Sequence, residues 1–266
     1  MLITAALGAL IGLVLAFTGA GGGVLSIPLL VLVLHLPMTE AAPIGLTAVG
    51  LASALGAILG LRQGIVRYRA ALLIGAMGML AAPAGVWLSH RLPPTPLVVG
   101  MSMLLLWLAW RAWQDARHPG GEPPRLDTVP CQVQAPGEPL RWTAPCARAL
   151  AATGLRSGLL SGLVGVGGGF VIVPALERHT DLDLRSVQAT SLTVIALVSL
   201  SGVGAAIGHG AVRADVALPF AVGAMLALLI GRRWAGRVSP ARLKQAFALI
   251  TAVAALLMLA KAAGVM

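Results

Sequence analysis

Long apolar runs alternate with short polar and glycine-rich stretches along the whole chain. Several of these runs reach the roughly 17 to 25 residues that a helix needs to cross a lipid bilayer. The pattern therefore predicts an all-α membrane protein, a polytopic helical bundle with about eight membrane segments. The predicted apolar segments are 2–18, 23–34, 41–61, 70–89 and 95–113, followed by 147–164, 169–176, 186–208, 216–231 and 245–260.

The same arrangement of segments occurs twice. Gly19-Ala-Gly-Gly-Gly, followed by Pro28, matches Gly165-Val-Gly-Gly-Gly, followed by Pro174, at an offset of 146 positions. Without any gap, this offset also aligns further glycines, hydroxyl residues and arginines. The aligned pairs include Gly8 and Gly154, Gly12 and Gly158, Thr47 and Thr193, Ser53 and Ser199, Arg67 and Arg213, and Gly85 and Gly231. The chain is therefore predicted to be a duplicated unit.

The duplication predicts the domain organisation. We expect a first membrane repeat at 1–113, a polar connector at 114–145 and a second membrane repeat at 146–266. The connector is rich in proline, glycine and charge, and it has too few apolar residues to form a core of its own. Cys131 and Cys146 lie in or beside it without Cys-x-x-Cys spacing, and we expect two unpaired thiols that face the cytoplasm.

Composition excludes most soluble classes of protein. Hydrophobic residues make up 58% of the chain and charged residues 11%, whereas soluble domains carry about 25% charged residues. The net charge of +10 does not indicate nucleic acid binding, because the basic residues lie between apolar runs rather than on one soluble face. The expected surroundings are the lipid bilayer. Histidine, cysteine and acidic residues form no cluster at metal-ligand spacing, so we expect no metal and no cofactor.

The distribution of Lys and Arg separates two topologies. If each glycine-broken segment crosses the membrane once, the two sides hold 10 and 8 of these residues. If each segment folds back as a re-entrant hairpin, the second half is inverted and the split becomes 15 to 3. The positive-inside rule favours the unequal split. We therefore predict inverted repeats, and a broken helix that crosses once is the alternative.

The two glycine breaks are the candidate site. Consecutive glycines allow positive φ and leave the first N–H groups of the following helix without an acceptor. Such groups, at the positive end of a helix dipole, bind anions. Inverted-repeat transporters place their substrate where two symmetry-related breaks meet near the midplane of the bilayer. Close helix packing is the alternative role for glycines, and it is the favoured role for the Gly8/Gly12 and Gly154/Gly158 pairs.

The duplicated signature resembles the sulfite exporter TauE/SafE family of bacterial membrane transporters. The resemblance rests on the two G-x-G-G-G-x-x-x-x-P stretches, on Thr47 and the stretch 189–193, and on the basic turns that end at Arg67 and Arg213. It implies a fold of two homologous halves that moves small anions, sulfite and organosulfonates among them. The halves differ at one place, where Ala-Pro-Ile-Gly at 42–45 corresponds to Gln-Ala-Thr-Ser at 188–191, so the two sides of a central site are expected to be unequal.

Particular residues are expected to carry the function. Hydroxyl side chains in membrane helices commonly bond back to their own helix, which is the alternative role for each hydroxyl residue taken alone. The predicted substrate-binding residues are Gly21, Gly22, Gly23, Gly167, Gly168, Gly169, Thr47, Gln188, Thr190, Ser191 and Thr193. The predicted structural or gating residues are Pro28, Pro174, Arg67, Arg156 and Arg213.

The leading functional hypothesis is a secondary transporter of the inner (plasma) membrane that exports a small anion by alternating access. A passive anion channel is the first alternative. A membrane-embedded lipid-phosphate enzyme is less favoured, because its chemistry needs acidic groups and Glu40 lies only at the edge of an apolar segment. The sequence leaves open which anion is moved, in which direction, with which coupling ion, and whether the chain forms a homodimer.

Overall fold

The computed structural model is built from α-helices and describes residues 1–19, 21–117, 131, 142–208, 213–234 and 240–262. The helices of the first half are α1 Leu2–Thr18, α2 Gly21–Val33, α3 Met38–Arg62, α4 Tyr68–Arg91 and α5 Pro94–Arg117. Those of the second half are α6 Ala144–Val164, α7 Gly169–His179, α8 Leu184–Gly208, α9 Ala214–Trp234 and α10 Pro240–Ala262. Among the described helices, α3, α4, α5, α8, α9 and α10 are long and apolar enough to cross a membrane. The predicted all-α polytopic bundle is confirmed.

Each predicted apolar segment corresponds to one helix of the structure. Several helices extend one to four residues beyond the end of the apolar run, as at Arg62, Arg91 and Arg117, because helix ends at a membrane surface take charged residues. Most of the predicted connector, 118–130 and 132–141, lies outside the described residues. The boundaries of the three domains stay a prediction.

The two halves are inverted relative to each other. Helices α3 and α8 occupy equivalent positions in the two repeats and pack against each other. Leu46 of α3 contacts Gly202 of α8, whereas Gly60, further along α3, lies against Ala189 near the start of α8. The two helices are therefore antiparallel. Two equivalent helices that meet in this way are related by an axis perpendicular to their length, which confirms the inverted repeat.

The glycine-broken segments fold back as hairpins. The start of α6 and the end of α7 lie at the same end of the molecule, because Cys146 of α6 is bonded to Cys131, whose N–H donates to the carbonyl of His179. In the first half, a Cβ atom at Gly22 of α2 would lie 2.7 Å from the carbonyl oxygen of Ile11 on α1. This geometry corresponds to the re-entrant hairpin and not to a broken helix that crosses once.

Glycines allow the halves to interlock. Gly12 of α1 packs directly on the carbonyl of Ala224 in α9, and Gly158 of α6 packs in the same way on the carbonyl of Gly78 in α4. These two contacts are related by the 146-residue offset. Small residues permit such close approach between helices in lipid, where packing rather than hydrophobicity drives association. The packing role predicted for these glycines is confirmed.

The fold gathers the basic residues at one end, called here the arginine-rich end. α3 ends there and α8 begins there, and the opposite end is called the arginine-poor end. Among the described residues, the arginine-rich end holds Arg62, Arg67, Arg69, Arg111, Arg117, Arg148, Arg178, Arg185, Arg232, Arg233 and Lys244, and the arginine-poor end holds Arg91, Arg213 and Lys261. This distribution matches the split counted from the sequence, and the positive-inside rule predicts that the arginine-rich end faces the cytoplasm.

The two cysteines are bonded to each other, which corrects the expectation of unpaired thiols. Cys131 and Cys146 form a disulfide, and both are fully buried. The bond ties the start of α6 to a backbone bridge between Cys131 and Thr180 at the end of α7. A separation of 15 residues gave no sign of this pairing, because the return of α7 brings Cys131 beside α6 only in the folded chain.

We expect the state of this disulfide in cells to report the orientation of the molecule. If the arginine-rich end faces the reducing cytoplasm, Cys131 and Cys146 are free thiols in growing cells and become bonded after purification in air. Acid quenching followed by labelling with a mass-tagged maleimide measures both states, and a Cys131→Ser/Cys146→Ser variant sets the unlabelled baseline. A bond already present in quenched intact cells would place this end in an oxidising compartment and reverse the predicted orientation.

Candidate functional site

The second glycine break exposes a row of backbone donors. α6 ends at Val164 and α7 begins at Gly169, and the residues between them include Gly165, Gly167 and Gly168 with φ of 76°, 77° and 70°. These angles suit glycine because other residues rarely adopt left-handed backbone. In the part of the chain that the structure describes, the N–H groups of Gly167, Gly168 and Gly169 find no acceptor. Adjacent free donors at a helix N-terminus are the kind of backbone that binds anions, and anion binding by these three glycines stays a prediction.

The first glycine break is tighter. α1 ends at Thr18 and α2 begins at Gly21, with Gly19 in the left-handed conformation at φ of 69°. The Thr18 hydroxyl accepts a hydrogen bond of 2.7 Å from the N–H of Gly21, which satisfies one of the donors of α2. The two breaks are therefore unequal, because Val164, which has no hydroxyl group, is the residue equivalent to Thr18 in the second half.

The two breaks meet in the interior. Gly23 at the start of α2 packs on the carbonyl of Val166 in the second break. Val49 of α3 lies against both breaks. Its Cγ1 atom is 3.5 Å from the position that a Cβ atom would take at Gly23, and 3.5 Å from the corresponding position at Gly167. The side chain of Ile195, on the equivalent helix α8, borders Gly167 as well. The irregular backbone is thus enclosed by protein, as it must be at membrane depth.

Two equivalent buried hydroxyl groups on α3 and α8, of which Ser199 borders the second break, have no partner in the described structure. Ser199 Oγ is 3.8 Å from the position of a Cβ atom at Gly167, and Ser199 also packs against Gly50 of α3. Ser53 lies one turn further along α3 and is equivalent to Ser199. Both side chains are almost fully buried, and neither hydroxyl makes a hydrogen bond within the described structure. Buried polar groups normally find partners, so two equivalent exceptions indicate a position for a polar ligand.

The central site is defined here as the N–H groups of Gly167 to Gly169 together with Ser199 and Ser53. Its groups are hydrogen-bond donors in apolar surroundings, and the neighbouring side chains of Val49 and Ile195 bring no carboxylate to it. Donors of this kind replace the water around a small anion, and they do so strongly because the local dielectric is low. The arrangement can hold a small anion without a metal or a fixed countercharge.

The predicted Thr47 and Thr193 have the same local bonding in the two halves. The hydroxyl of Thr47 donates to the carbonyl of Pro43 at 2.7 Å, and that of Thr193 donates to the carbonyl of Ala189 at 3.0 Å. Each therefore bonds back to its own helix, which is the common behaviour of hydroxyl residues in membrane helices. A contact of either residue with substrate stays a prediction.

The other predicted polar residues of α8 lie in different surroundings. The hydroxyl of Thr190 accepts from the N–H of Arg67 at the start of α4 and so joins two helices at the arginine-rich end. Gln188 donates from Nε2 to the carbonyl of Phe17 at 3.1 Å, and its side chain packs on the first break. Ser191 is fully buried, and its hydroxyl has no partner in the described structure.

The predicted structural residues are spread over the bundle. Pro28 and Pro174 lie inside α2 and α7, where each removes one N–H from its helix. Arg213 pairs with Asp215 at 3.0 Å and with Glu40 at 3.7 Å, so it joins α3 to α9 at the arginine-poor end. Arg156 is exposed on the outer face of α6. The structure does not bring these residues to the central site, and their gating roles stay predictions.

A cavity leads from the arginine-poor end toward the second break. It is narrow, with a volume of about 40 Å³. Thr39 and His90 are exposed at the mouth, whereas Ser161, Gly165 and Gly202 line the buried floor. Ser199 of the central site lies one turn of α8 beyond Gly202. We call this cavity the arginine-poor vestibule.

The sequence did not single out Ser53, Ser199 or Ser161 as site residues. Ser53 and Ser199 carried one signal, since they match at the 146-residue offset. Ser161 carried none, because Leu15 is the residue at the equivalent position. The lack of a hydrogen-bond partner distinguishes all three hydroxyls from those of Thr47 and Thr193, and this property exists only in the folded chain.

Comparison with known proteins supports one family over nearly the whole chain. The model of the family described as Sulfite exporter TauE/SafE matches residues 4–258. A Bacillus subtilis (strain 168) protein named "Probable membrane transporter protein YdhB" is 27% identical over 257 residues, which cover 94% of this chain and 96% of the relative. A Xylella fastidiosa (strain 9a5c) protein named "Probable membrane transporter protein" is 27% identical over 261 residues, which cover 96% of this chain and 94% of the relative. No solved structure matches significantly.

Proposed function

The chain belongs to the sulfite exporter TauE/SafE family, and from this premise we propose that it is a secondary transporter that exports a small anion from the cell. The substrate class is sulfite, an organosulfonate or a related sulfur-containing anion, and the membrane is the inner (plasma) membrane. The names of the relatives support the broader statement that the protein is a membrane transporter rather than an enzyme, and the six long apolar helices among the described residues support several membrane crossings.

The central site carries the proposal. Within the described residues, the N–H groups of Gly167, Gly168 and Gly169 and the hydroxyls of Ser53 and Ser199 have no partner, and all of these donors are buried. An unpaired buried hydroxyl or amide costs about 1 to 3 kcal/mol, so this cluster favours a ligand that accepts several hydrogen bonds. The oxygens of a sulfite or sulfonate group are such acceptors.

The inverted fold supports alternating access. The two halves expose equivalent surfaces to opposite ends of the molecule, so a rocking of one half against the other can open a central site to each end in turn. The arginine-poor vestibule approaches the site from one end. A channel would instead need both ends open at the same time.

Purified protein in liposomes is expected to catalyse counterflow of radiolabelled sulfite. Liposomes loaded with unlabelled sulfite or methanesulfonate should accumulate the label transiently above equilibrium, because an alternating carrier exchanges the two pools. A passive channel lets the label approach equilibrium without exceeding it. Two controls are used. One is liposomes without protein, and the other is liposomes loaded with a salt whose anion is not a substrate.

Binding is measured separately by thermal stability in detergent. A ligand present at 100 times its dissociation constant stabilises the folded protein by about 2.7 kcal/mol, so sulfite or methanesulfonate should raise the Tm by several degrees. Sulfate, phosphate, acetate and chloride complete the panel. Transport of none of these anions, together with no change in Tm, would refute the proposed function.

A further inference from the structure

The two ends of the pseudo-symmetric fold are closed to different degrees. The arginine-poor vestibule is walled by Ala42, Val86, Leu163 and Gly202. Ala42 and Val86 have short side chains without polar atoms, so they do not reach across the cavity to bond the opposite backbone. A narrow cavity therefore extends from this end to its buried floor.

The equivalent positions at the arginine-rich end carry longer polar side chains. The 146-residue offset places Gln188 at the position of Ala42 and Arg232 at the position of Val86. Gln188 donates to the carbonyl of Phe17 at 3.1 Å, and Arg232 donates from an Nη atom to the carbonyl of Gly56 at 2.9 Å. Both bonds run from the second half to the first.

The acceptors of these bonds are themselves equivalent to walls of the open vestibule. Phe17 corresponds to Leu163, and Gly56 corresponds to Gly202. Gln188 packs on Gly19 as Ala42 packs on Gly165, so at this contact the two ends differ only in the polar group that Gln188 carries beyond it. Gln188 and Arg232 therefore occupy the space that is open at the other end.

We propose that Gln188 and Arg232 form the gate of the arginine-rich end, and that Arg232 becomes the contact for the anion at that end when the gate opens. This inference rests on the proposed transport function. Because both bonds join the two halves, a rocking motion that opens this end must break both of them. The structure is then the state closed at the arginine-rich end.

The surroundings of Arg232 favour a second partner for its charge. Arg232 is half-buried on α9, and the acceptor at Gly56 is a neutral carbonyl one turn along α3 from Ser53. A charge embedded in a membrane protein is costly and usually pairs with another group. An anion that leaves the central site along α3 toward this end reaches the guanidinium one turn beyond Ser53, and a planar guanidinium binds oxyanions well.

Paired cysteine reporters test the gate without any transport measurement. In a Cys131→Ser/Cys146→Ser background, Leu163→Cys reports on access to the arginine-poor vestibule. Phe17→Cys reports on access to the equivalent place at the arginine-rich end. An impermeant thiol reagent is added to each face of sealed vesicles. We expect Leu163→Cys to react from the arginine-poor face. Phe17→Cys should react slowly from the other face, and about tenfold faster when Gln188→Ala and Arg232→Ala remove two inter-half hydrogen bonds.

A transplanted side chain gives the reverse experiment. Ala42→Gln places at the arginine-poor end the residue that closes the other end, and it should slow the labelling of Leu163→Cys about tenfold if one hydrogen bond of this kind closes the vestibule. Arg233→Gln, next to Arg232 but exposed, is the matched control and should leave both labelling rates unchanged. If the gate variants do not fold, the Ala42→Gln result alone decides. Unchanged labelling in all variants overturns the gate.

Transport then separates the gate from the proposed function. Arg232→Gln should raise the sulfite concentration for half-maximal transport from the arginine-rich face about tenfold, as expected for a lost hydrogen bond to a charged group, with little change from the other face. Equal half-saturation concentrations at both faces overturn the role of Arg232 as an anion contact. If the cysteine labelling follows the gate but no anion is moved, the gate stands and the proposed substrate class fails.

Discussion

Replacing Gly158 with valine is expected to prevent formation of the native bundle. Gly158 of α6 packs on the backbone of Gly78 in α4, and a Cβ atom there would overlap the Gly78 carbonyl oxygen. Overpacking against flexible side chains costs about 1 to 3 kcal/mol, and a carbonyl fixed in a helix can move less than a side chain, so the cost should exceed that range. To accommodate the valine side chain, helices α4 and α6 would have to move apart.

The duplication provides both a second test and a control. Gly12→Val should be equally damaging, because Gly12 meets the carbonyl of Ala224 at the equivalent contact between α1 and α9. Gly100→Val on α5 is the control, since nothing lies within 4 Å of a Cβ atom at Gly100. Size-exclusion profiles and Tm in detergent measure all three variants. A Gly158→Val protein as monodisperse and stable as the Gly100→Val protein would contradict the observed packing.

Replacing Ser199 with alanine is expected to stabilise the empty protein and to impair transport. The Ser199 hydroxyl is buried without a partner, so its removal relieves a cost of about 1 to 3 kcal/mol in the ligand-free state. If the same hydroxyl binds the anion, its loss should weaken binding by about ten- to a hundredfold, which is the value of a hydrogen bond to a charged group. A rise in stability together with a loss of transport distinguishes a ligand-binding hydroxyl from one that only packs.

The measurements are the Tm with and without sulfite and the initial rate of sulfite counterflow. Ser53→Ala should likewise raise the Tm of the ligand-free protein and lower the rate of counterflow, because Ser53 is the residue equivalent to Ser199. Ser102→Ala is the matched control, since the hydroxyl of Ser102 is equally buried but donates to the carbonyl of Val98 within α5. If Ser199→Ala transports sulfite like the wild type and keeps the sulfite-induced rise in Tm, the hydroxyl is not part of the site.

Leucine substitutions in the breaks would be less informative than these alanine variants. A side chain at Gly168 would meet the carbonyl oxygen of Ser157 at 2.7 Å, in a backbone conformation with φ of 70° that other residues rarely adopt. At Gly22 a Cβ atom would meet the carbonyl oxygen of Ile11. Loss of transport in such variants would mix the loss of the site with damage to the hairpins.

Much of the fold follows from local features of the sequence. The ten helices of the described residues match the ten apolar runs because helix formation in lipid depends on run length and composition. Glycine at 19, 165, 167 and 168 specifies positive φ, because it lacks the Cβ atom that makes this conformation costly. The inversion of the halves was also predictable, since charge placement relative to the membrane is a property of each loop by itself.

The candidate site was only partly predictable. The glycines of the second break were identified from the sequence, because free donors at a helix N-terminus are a local property. The hydroxyl groups could not be sorted in this way. Thr47 and Ser53 lie on the same helix and both match at the offset, yet Thr47 bonds to Pro43 and Ser53 has no partner. Only the surroundings of each side chain decide between these outcomes.

The sequence by itself thus determined the two copies, their helices, the glycine breaks and the inverted orientation, all of which depend on backbone freedom, run length and charge within one segment. The tertiary structure decided how the copies interlock, that Cys131 and Cys146 pair, which hydroxyls lack a partner, and that Gln188 and Arg232 close one end. These features depend on contacts between residues far apart in the chain, usually from different halves. A side chain's partner is fixed by what the other half brings beside it, and no pattern within one segment contains that information.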